Sequence, residues 1–250
     1  MGIARQKKEQ IKNNLEKIKQ STDKFNDVKK FPAFCPNTGN DNPHAINAYH
    51  HLMRLIFLRA KHLHASAVDA ASKNDSYTSF VLLKAYWENV AMLGYCFVTA
   101  NNLIDKDNYE ELLNWVIRHA LGGKKYPTDE HLIEICKSRD EFEQTNLLTM
   151  MQKVDKNFNK AIGKGVFLSD FEKVYNEFIA ECGHSTSLGL SLCEEKQPDG
   201  SRIPKVDRTS QFDDNNMTIN HICLANSYFF YYWGEFSRGI EGQIAKVSTP

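Results

Sequence analysis

Apolar residues recur every three or four positions along most of this chain, the spacing of helices that bury one stripe and wet the other. One stretch departs from that rhythm by being apolar on nearly every face. Residues 77–98 read YTSFVLLKAYWENVAMLGYCFV, with few polar exceptions: Lys84, Glu88 and Asn89 in the middle, then Gly94. A helix apolar all round belongs inside a bundle, so this stretch is predicted to be the central helix. Lys84 and Glu88 are four apart and fall one turn above the other. Opposite charges in such surroundings are expected to pair, because an unpaired buried charge costs several kcal/mol. A membrane span is the rival reading for an apolar run of this length. Two charges near its middle, each costing roughly 2.5–3.5 kcal/mol to insert, and flanks without a basic bias argue against it.

The remaining periodicity lays out the other elements. Residues 4–28 read as a basic amphipathic helix with a thin stripe of Ile11, Leu15 and Ile18. A loop rich in Pro, Gly and Asn follows over 31–42, and Asn42 before Pro43 marks a helix start. That helix should run to about residue 72. Asp107 is placed to cap a helix through Ala120, stopped by Gly122-Gly123. Thr128 should cap a short helix to about Lys137, and another is expected over roughly 140–161, broken at Gly163-Lys164-Gly165. Ser169 and Glu172 form a capping box for a helix that turns Phe171, Val174, Tyr175, Phe178 and Cys182 inward. Residues 185–213 are polar, with a Pro198-Asp199-Gly200 turn that suits a small hairpin or an ordered loop. A last helix is expected over about 215–238. The predicted class is all-α: a bundle of six to eight helices with a small β-hairpin or ordered loop before the last one. Residues 1–30 form an N-terminal helix beside a single bundle domain, 43–240, into which 185–213 is inserted.

Charge and cysteines narrow the partners. Formal net charge is zero, so no global basic field points to nucleic acid. Residues 1–30 hold nine Lys or Arg against four Asp or Glu, a local balance of +5. This helix reads either as a solvated surface laid on the bundle or a partner, or as a contact for nucleic acid or anionic lipid. The cysteines at 35, 96, 136, 182, 193 and 223 form no Cys-x-x-Cys pair, which fits free thiols in a reducing compartment. The first residues have no apolar core for a signal peptide, and Gln6 stands where a myristoylation signal needs Ser or Thr. A cytoplasmic location is expected. Glu181-Cys182-Gly183-His184 is half of a di-iron carboxylate motif without its second half, so neither metal nor cofactor is expected.

Three residue sets could carry chemistry. Arg59-Ala60-Lys61-His62-Leu63-His64 places an Arg and a His with four residues between them. An Arg can hold a phosphate while a His moves a proton. The second set is Glu181 with His184. The third joins Lys84-x-x-x-Glu88 to Tyr175-x-x-x-Ile179-Ala180-Glu181-x-x-His184-Ser185, about ninety residues later. It reads either as a polar core network that fixes helix register or as a pocket. In the pocket, Glu88 and His184 flank a substrate and Lys84 neutralises negative charge.

The Arg59–His64 spacing is the pattern of the HEPN ribonucleases. The third set, spread over roughly residues 45–238, resembles uncharacterised bacterial all-helical families that are loosely similar to HEPN domains. Lys84 stands where those families usually have Arg, Ala180 where they have Ser, and Gly183 where they have an apolar residue. The resemblance implies an RNA-binding module or ribonuclease of a defence or toxin–antitoxin kind, with Arg59, His64, Glu88 and His184 as candidate catalytic residues. Lys84 and Glu181 would line the polar core or pocket. The alternative is a non-enzymatic interaction module, homodimeric through aromatic helix faces. The stretch YFFYYWGEF at 228–236 has the spacing of core or of such a face.

Overall fold

The computed structural model describes residues 2–28, 42–121, 145–162, 171–182, 194–204 and 212–248. Among these residues the chain forms seven helices. They are α1 (Gly2–Asp27), α2 (Asn42–Ser72), α3 (Ser76–Ile104), α4 (Tyr109–Leu121), α5 (Leu147–Ile162), α6 and α7 (Phe212–Ser248). Helix α6 consists of three consecutive runs, Phe171–Val174, a π turn over Tyr175–Ile179, and Ala180–Cys182. Strands β1 (Glu194–Lys196) and β2 (Arg202–Pro204) pair antiparallel, with Glu195 opposite Ile203. The class is all-α. The helix expected over 128–137, the glycine breaks, the Ser169 cap and most of 185–213 lie outside the described residues.

Helix α3 is the axis. Asp75 caps it, accepting from the Thr78 amide at 3.0 Å and the Thr78 hydroxyl at 2.8 Å. It packs against α2, α4, α5, α6 and α7. Phe80, Leu83, Trp87 and Val90 are fully enclosed, as are Tyr86, Leu93, Cys96 and Ala100. Trp87 stacks on Phe171 of α6 with ring centroids 4.4 Å apart, and its Nε1–H donates to the His221 carbonyl at 3.3 Å. A narrow stripe, Tyr77, Val81, Lys84, Glu88 and Met92, stays open at helical spacing. Among the described residues, no helix is long and apolar enough to cross a membrane.

Helix α7 is longer than its sequence suggested, reaching Ser248 rather than about 238. Gly239 and Gly242 look like stop signals, but the buried stripe of Ile222, Phe229, Tyr232, Phe236 and Ile240 continues through Gln243 to Val247. Packing outweighs the roughly 1 kcal/mol that each helical glycine costs. Gln243 is held at both ends: His50 Nε2–H donates to its Oε1 at 2.8 Å, and its Nε2 donates to Asn101 Oδ1 at 2.9 Å. The aromatic stretch 228–236 is core: Tyr228, Phe229, Tyr232 and Phe236 are all enclosed.

Other boundaries shift for local reasons. Asn108, not Asp107, caps α4: its Oδ1 accepts from the Glu111 amide at 3.3 Å and its carbonyl from the Leu112 amide at 3.1 Å. Asp107 sits in the left-handed region with φ 52° and makes the turn that Asn108 follows. Helix α5 begins at Leu147 rather than near 140, because the Asn146 side chain accepts from the Leu148 amide at 2.8 Å. On α1 the inward seam runs through Ile11, Ile18, Ser21 and Phe25, while Leu15 is 49% exposed. Heptad steps place 11, 18 and 25 in line, and Leu15 lies beyond that line. Phe25 inserts among Phe57, Phe229 and Phe230, which fastens α1 to α2 and α7.

Gly94 shows how tightly α3 is held. A Cβ there would stand 2.7 Å from Val154 Cγ2 and 2.8 Å from Tyr232 Cε2. Helix propensity alone favours Gly94→Ala by about 1 kcal/mol. The clash should outweigh it, with a net loss of about 1–3 kcal/mol. Urea denaturation measures this; an alanine variant as stable as the parent would contradict the packing described.

Candidate functional site

Two features assemble on the open stripe of α3. The first is the pair read from the sequence. Lys84 Nζ lies 3.1 Å from Glu88 Oε1, with the side chains 20% and 30% exposed. The pair is therefore half-buried at a seam rather than sealed in the core. Tyr175 reaches it from α6, its hydroxyl donating to Glu88 Oε1 at 2.7 Å. Burial and the Glu88 hydrogen bond both push the Tyr175 phenol well above its ordinary pKa, so it stays a donor.

Tyr175 opens the π turn, and π turns insert an extra residue that re-aims side chains. Phe171, Tyr175, Ile179 and Cys182 are all buried on α6, while Val174 and Phe178 are only partly so. The start of α6 is held from α5. Asp155 Oδ1 accepts from the Phe171 amide and Asp155 Oδ2 from the Glu172 amide, both at 2.8 Å. A carboxylate on these amides satisfies orphan donors and the positive end of the helix.

The second feature is a cleft of about 480 Å³ between α2, α3, α4 and the start of α5. Arg59, Glu88, Asn89, His119 and Thr145 supply its polar groups. Leu52, Leu55, Ile56, Met92, Leu147 and Met150 supply its apolar wall. Asn89 is buried, and its Nδ2 donates to the Ile56 carbonyl at 3.0 Å, which ties α3 to α2 at the cleft floor. Glu88 is already engaged by Lys84 and Tyr175. Among the described residues, no carboxylate pairs with Arg59.

His119 has a fixed tautomer. Its Nδ1 lies 2.8 Å from the Trp115 carbonyl, which can only accept, so Nδ1 carries the proton. Nε2 is then a lone pair facing Thr145 Oγ1 at 3.3 Å, and the Thr145 hydroxyl donates to it. Tyr95, whose oxygen lies 3.1 Å from Thr145 Oγ1, donates in turn. Burial lowers the His119 pKa to about 4; the Trp115 carbonyl opposes it in part, and the charges of Arg118 and Lys153 each add a smaller lowering effect. The imidazole at the cleft is neutral at pH 7.

The predicted site residues divide. Arg59 and Glu88 come together in the cleft, with Lys84 behind Glu88. His64 does not join them. It is 1% exposed, packed by the rings of Phe25 and Tyr86, with Thr22 Oγ1 3.0 Å from its Nε2. Helix α1 covers it, so a His64 in proton transfer with Arg59 is not what the fold presents. The spacing of five residues turns the two side chains to different faces of α2. Glu181 is exposed on α6, and His184 lies outside the described residues. Among the described residues, no three His, Cys, Asp or Glu side chains gather as a metal site requires. His119 and Thr145 were not singled out from sequence. A signal existed for His119: it shares the buried face of α4 with Leu112 and Trp115, an odd place for a histidine unless it has partners.

The buried histidines set a pH dependence. His64 and His119 titrate near pH 4, and His50 and His221 below the ordinary value, in each case chiefly through burial. The unfolded chain binds these protons near pH 6.5, so stability is full above that pH and falls as pH drops from 6.5 towards 4. His64 and His119 should each cost about 2 kcal/mol by pH 5. Urea midpoints at pH 7.5 and pH 5 test this. A lower midpoint at pH 5, flattened in a His64→Gln/His119→Gln double variant, is expected; a midpoint that does not move contradicts it.

Compared with protein-family models, curated proteins and solved structures, the chain matches none of them.

Proposed function

We propose that this helical bundle is a ligand-binding protein whose working site is the cleft, with Arg59 taking the ligand's negative charge. What carries the reading is the state of the charges there. Glu88 is satisfied by Lys84 and Tyr175, whereas Arg59 faces the same space with no carboxylate partner among the described residues. A guanidinium at the rim of an apolar cleft is suited to a ligand with an anionic head and an apolar body. The volume, about 480 Å³, falls within the range of small-molecule sites.

A second reading is RNA-linked, in keeping with the HEPN-like resemblance. It is favoured by the meeting of Lys84, Glu88 and Tyr175, the two sequence elements that carry that resemblance, across 87 residues. In it Arg59 holds a backbone phosphate, the imidazole at hand is His119 rather than His64, and α1, whose sequence carries seven Lys or Arg against four Asp or Glu, supplies a further contact. Anisotropy of a labelled single-stranded RNA separates the two. The RNA reading requires binding that weakens steeply with salt and on Lys12→Glu/Lys19→Glu reversal of α1; no measurable binding removes it.

For the cleft itself, melting-point shifts with a panel of small carboxylates and phosphates are the assay. Arg59→Ala should weaken whichever anion binds by about tenfold or more, the worth of a charged hydrogen bond at roughly 1.5–3 kcal/mol. Stability without ligand should stay within about 0.5 kcal/mol, as for an exposed side chain. Shifts identical in the parent and the Arg59→Ala variant would refute the role of Arg59.

A further inference from the structure

Taking the cleft as the working site, we propose that its ligand is a medium-chain carboxylic acid with an aliphatic body, held by its carboxylate on Arg59. Three observations lead there. The first is the wall. Its apolar side chains are Leu, Ile and Met, and among the described residues the cleft is lined by no Phe, Tyr or Trp, the imidazole of His119 being its one flat ring and held by hydrogen bonds at both nitrogens. Nucleobases are held by stacking on flat rings and by edge hydrogen bonds. Branched aliphatic and thioether surfaces instead suit a flexible saturated body, and methionine adapts to its shape.

The second observation is the charge. Arg59 contributes +1, Glu88 −1, and Lys84, bound to Glu88, +1. Among the described residues, one negative charge completes the balance. A second would stand in the same cleft as Glu88, which favours a carboxylate over a dianionic phosphate. The planar guanidinium also matches a carboxylate oxygen for oxygen.

The third is the arrangement of the two ends. Arg59 stands on the exposed side of α2, beside Leu55, which is 48% exposed. Deeper in, the lining residues Ile56, Asn89 and Met150 are buried. The ligand would keep its head at the rim and its tail inward, leaving the neutral His119 and the Thr145 hydroxyl paired with each other.

Isothermal titration with octanoate, 1-octanol and adenosine monophosphate tests this. Octanoate should bind one to one. Octanol, lacking the charge, and the nucleotide, lacking the aliphatic body, should each bind at least tenfold more weakly. Arg59→Ala and Leu55→Asp should each weaken octanoate at least tenfold, and both sites are exposed enough for the variants to fold. Melting curves confirm that they do. Arg59-dependent binding of the nucleotide in preference to octanoate would overturn the aliphatic acid and leave the cleft reading standing. Octanoate binding untouched by either substitution, or no binding that depends on Arg59 by any of the three compounds, would overturn both.

Discussion

The burial of α3 on nearly every side is the constraint from which the rest follows. A rod carrying Phe80, Leu83, Tyr86, Trp87, Val90, Leu93 and Cys96 has no wet face wide enough to stand at the surface. Several neighbours must therefore surround it, and α2, α4, α5, α6 and α7 do so. Close approach is forced as well. Gly94 stands where a side chain would meet Val154 and Tyr232, so the glycine is required by distance rather than by dihedral angle. The chain's few charged residues on this rod then fall at the seam where the surrounding helices do not quite close.

That seam is where structure turns into chemistry. Polar groups at a half-open joint keep partial access to water, and Lys84 and Glu88 remain paired without the full cost of burial. Tyr175 adds a hydrogen bond that only a correctly placed α6 can deliver, and α6 is placed by the Asp155 carboxylate on its first amides. Along the same stripe Met92 and Glu88 open into the cleft that Arg59 enters from α2 and His119 from α4. A fixed His119 tautomer, an Asn89 amide tied to the Ile56 carbonyl, and an Arg59 with no carboxylate partner among the described residues give the cleft three different polar surfaces.

The sequence made the rods legible but not their mutual distances. Apolar residues on nearly every face located the central helix, and Asn42 before Pro43 marked the start of α2 through local chemistry. Local signals failed where two candidates stood side by side. Asp107 and Asn108 are both capping residues, and only the turn geometry decides between them. They failed again where packing overrode propensity, as at Gly239 and Gly242 in α7. The candidate site was half legible. The Lys84–Glu88 pair follows from spacing within one helix, but the distance from His119 to Thr145 depends on how α4 meets α5. Arg59 and His64 share a short motif, yet a helix sends them to different environments, one to a cleft and one beneath α1. The remote cap at Asp155 left no mark in the sequence around either partner.

Hydroxyl-radical footprinting resolved to single residues examines the enclosure of α3 directly, because Trp, Tyr, Met and Cys side chains react readily wherever water reaches them. Tyr77 and Met92, on the open stripe, should oxidise readily, while Tyr86, Trp87 and Cys96 should be protected. Oxidation of Tyr86 and Trp87 to the same degree as Tyr77 would mean that α3 is not surrounded. The seam, the pair it carries and the cleft would then lose their basis.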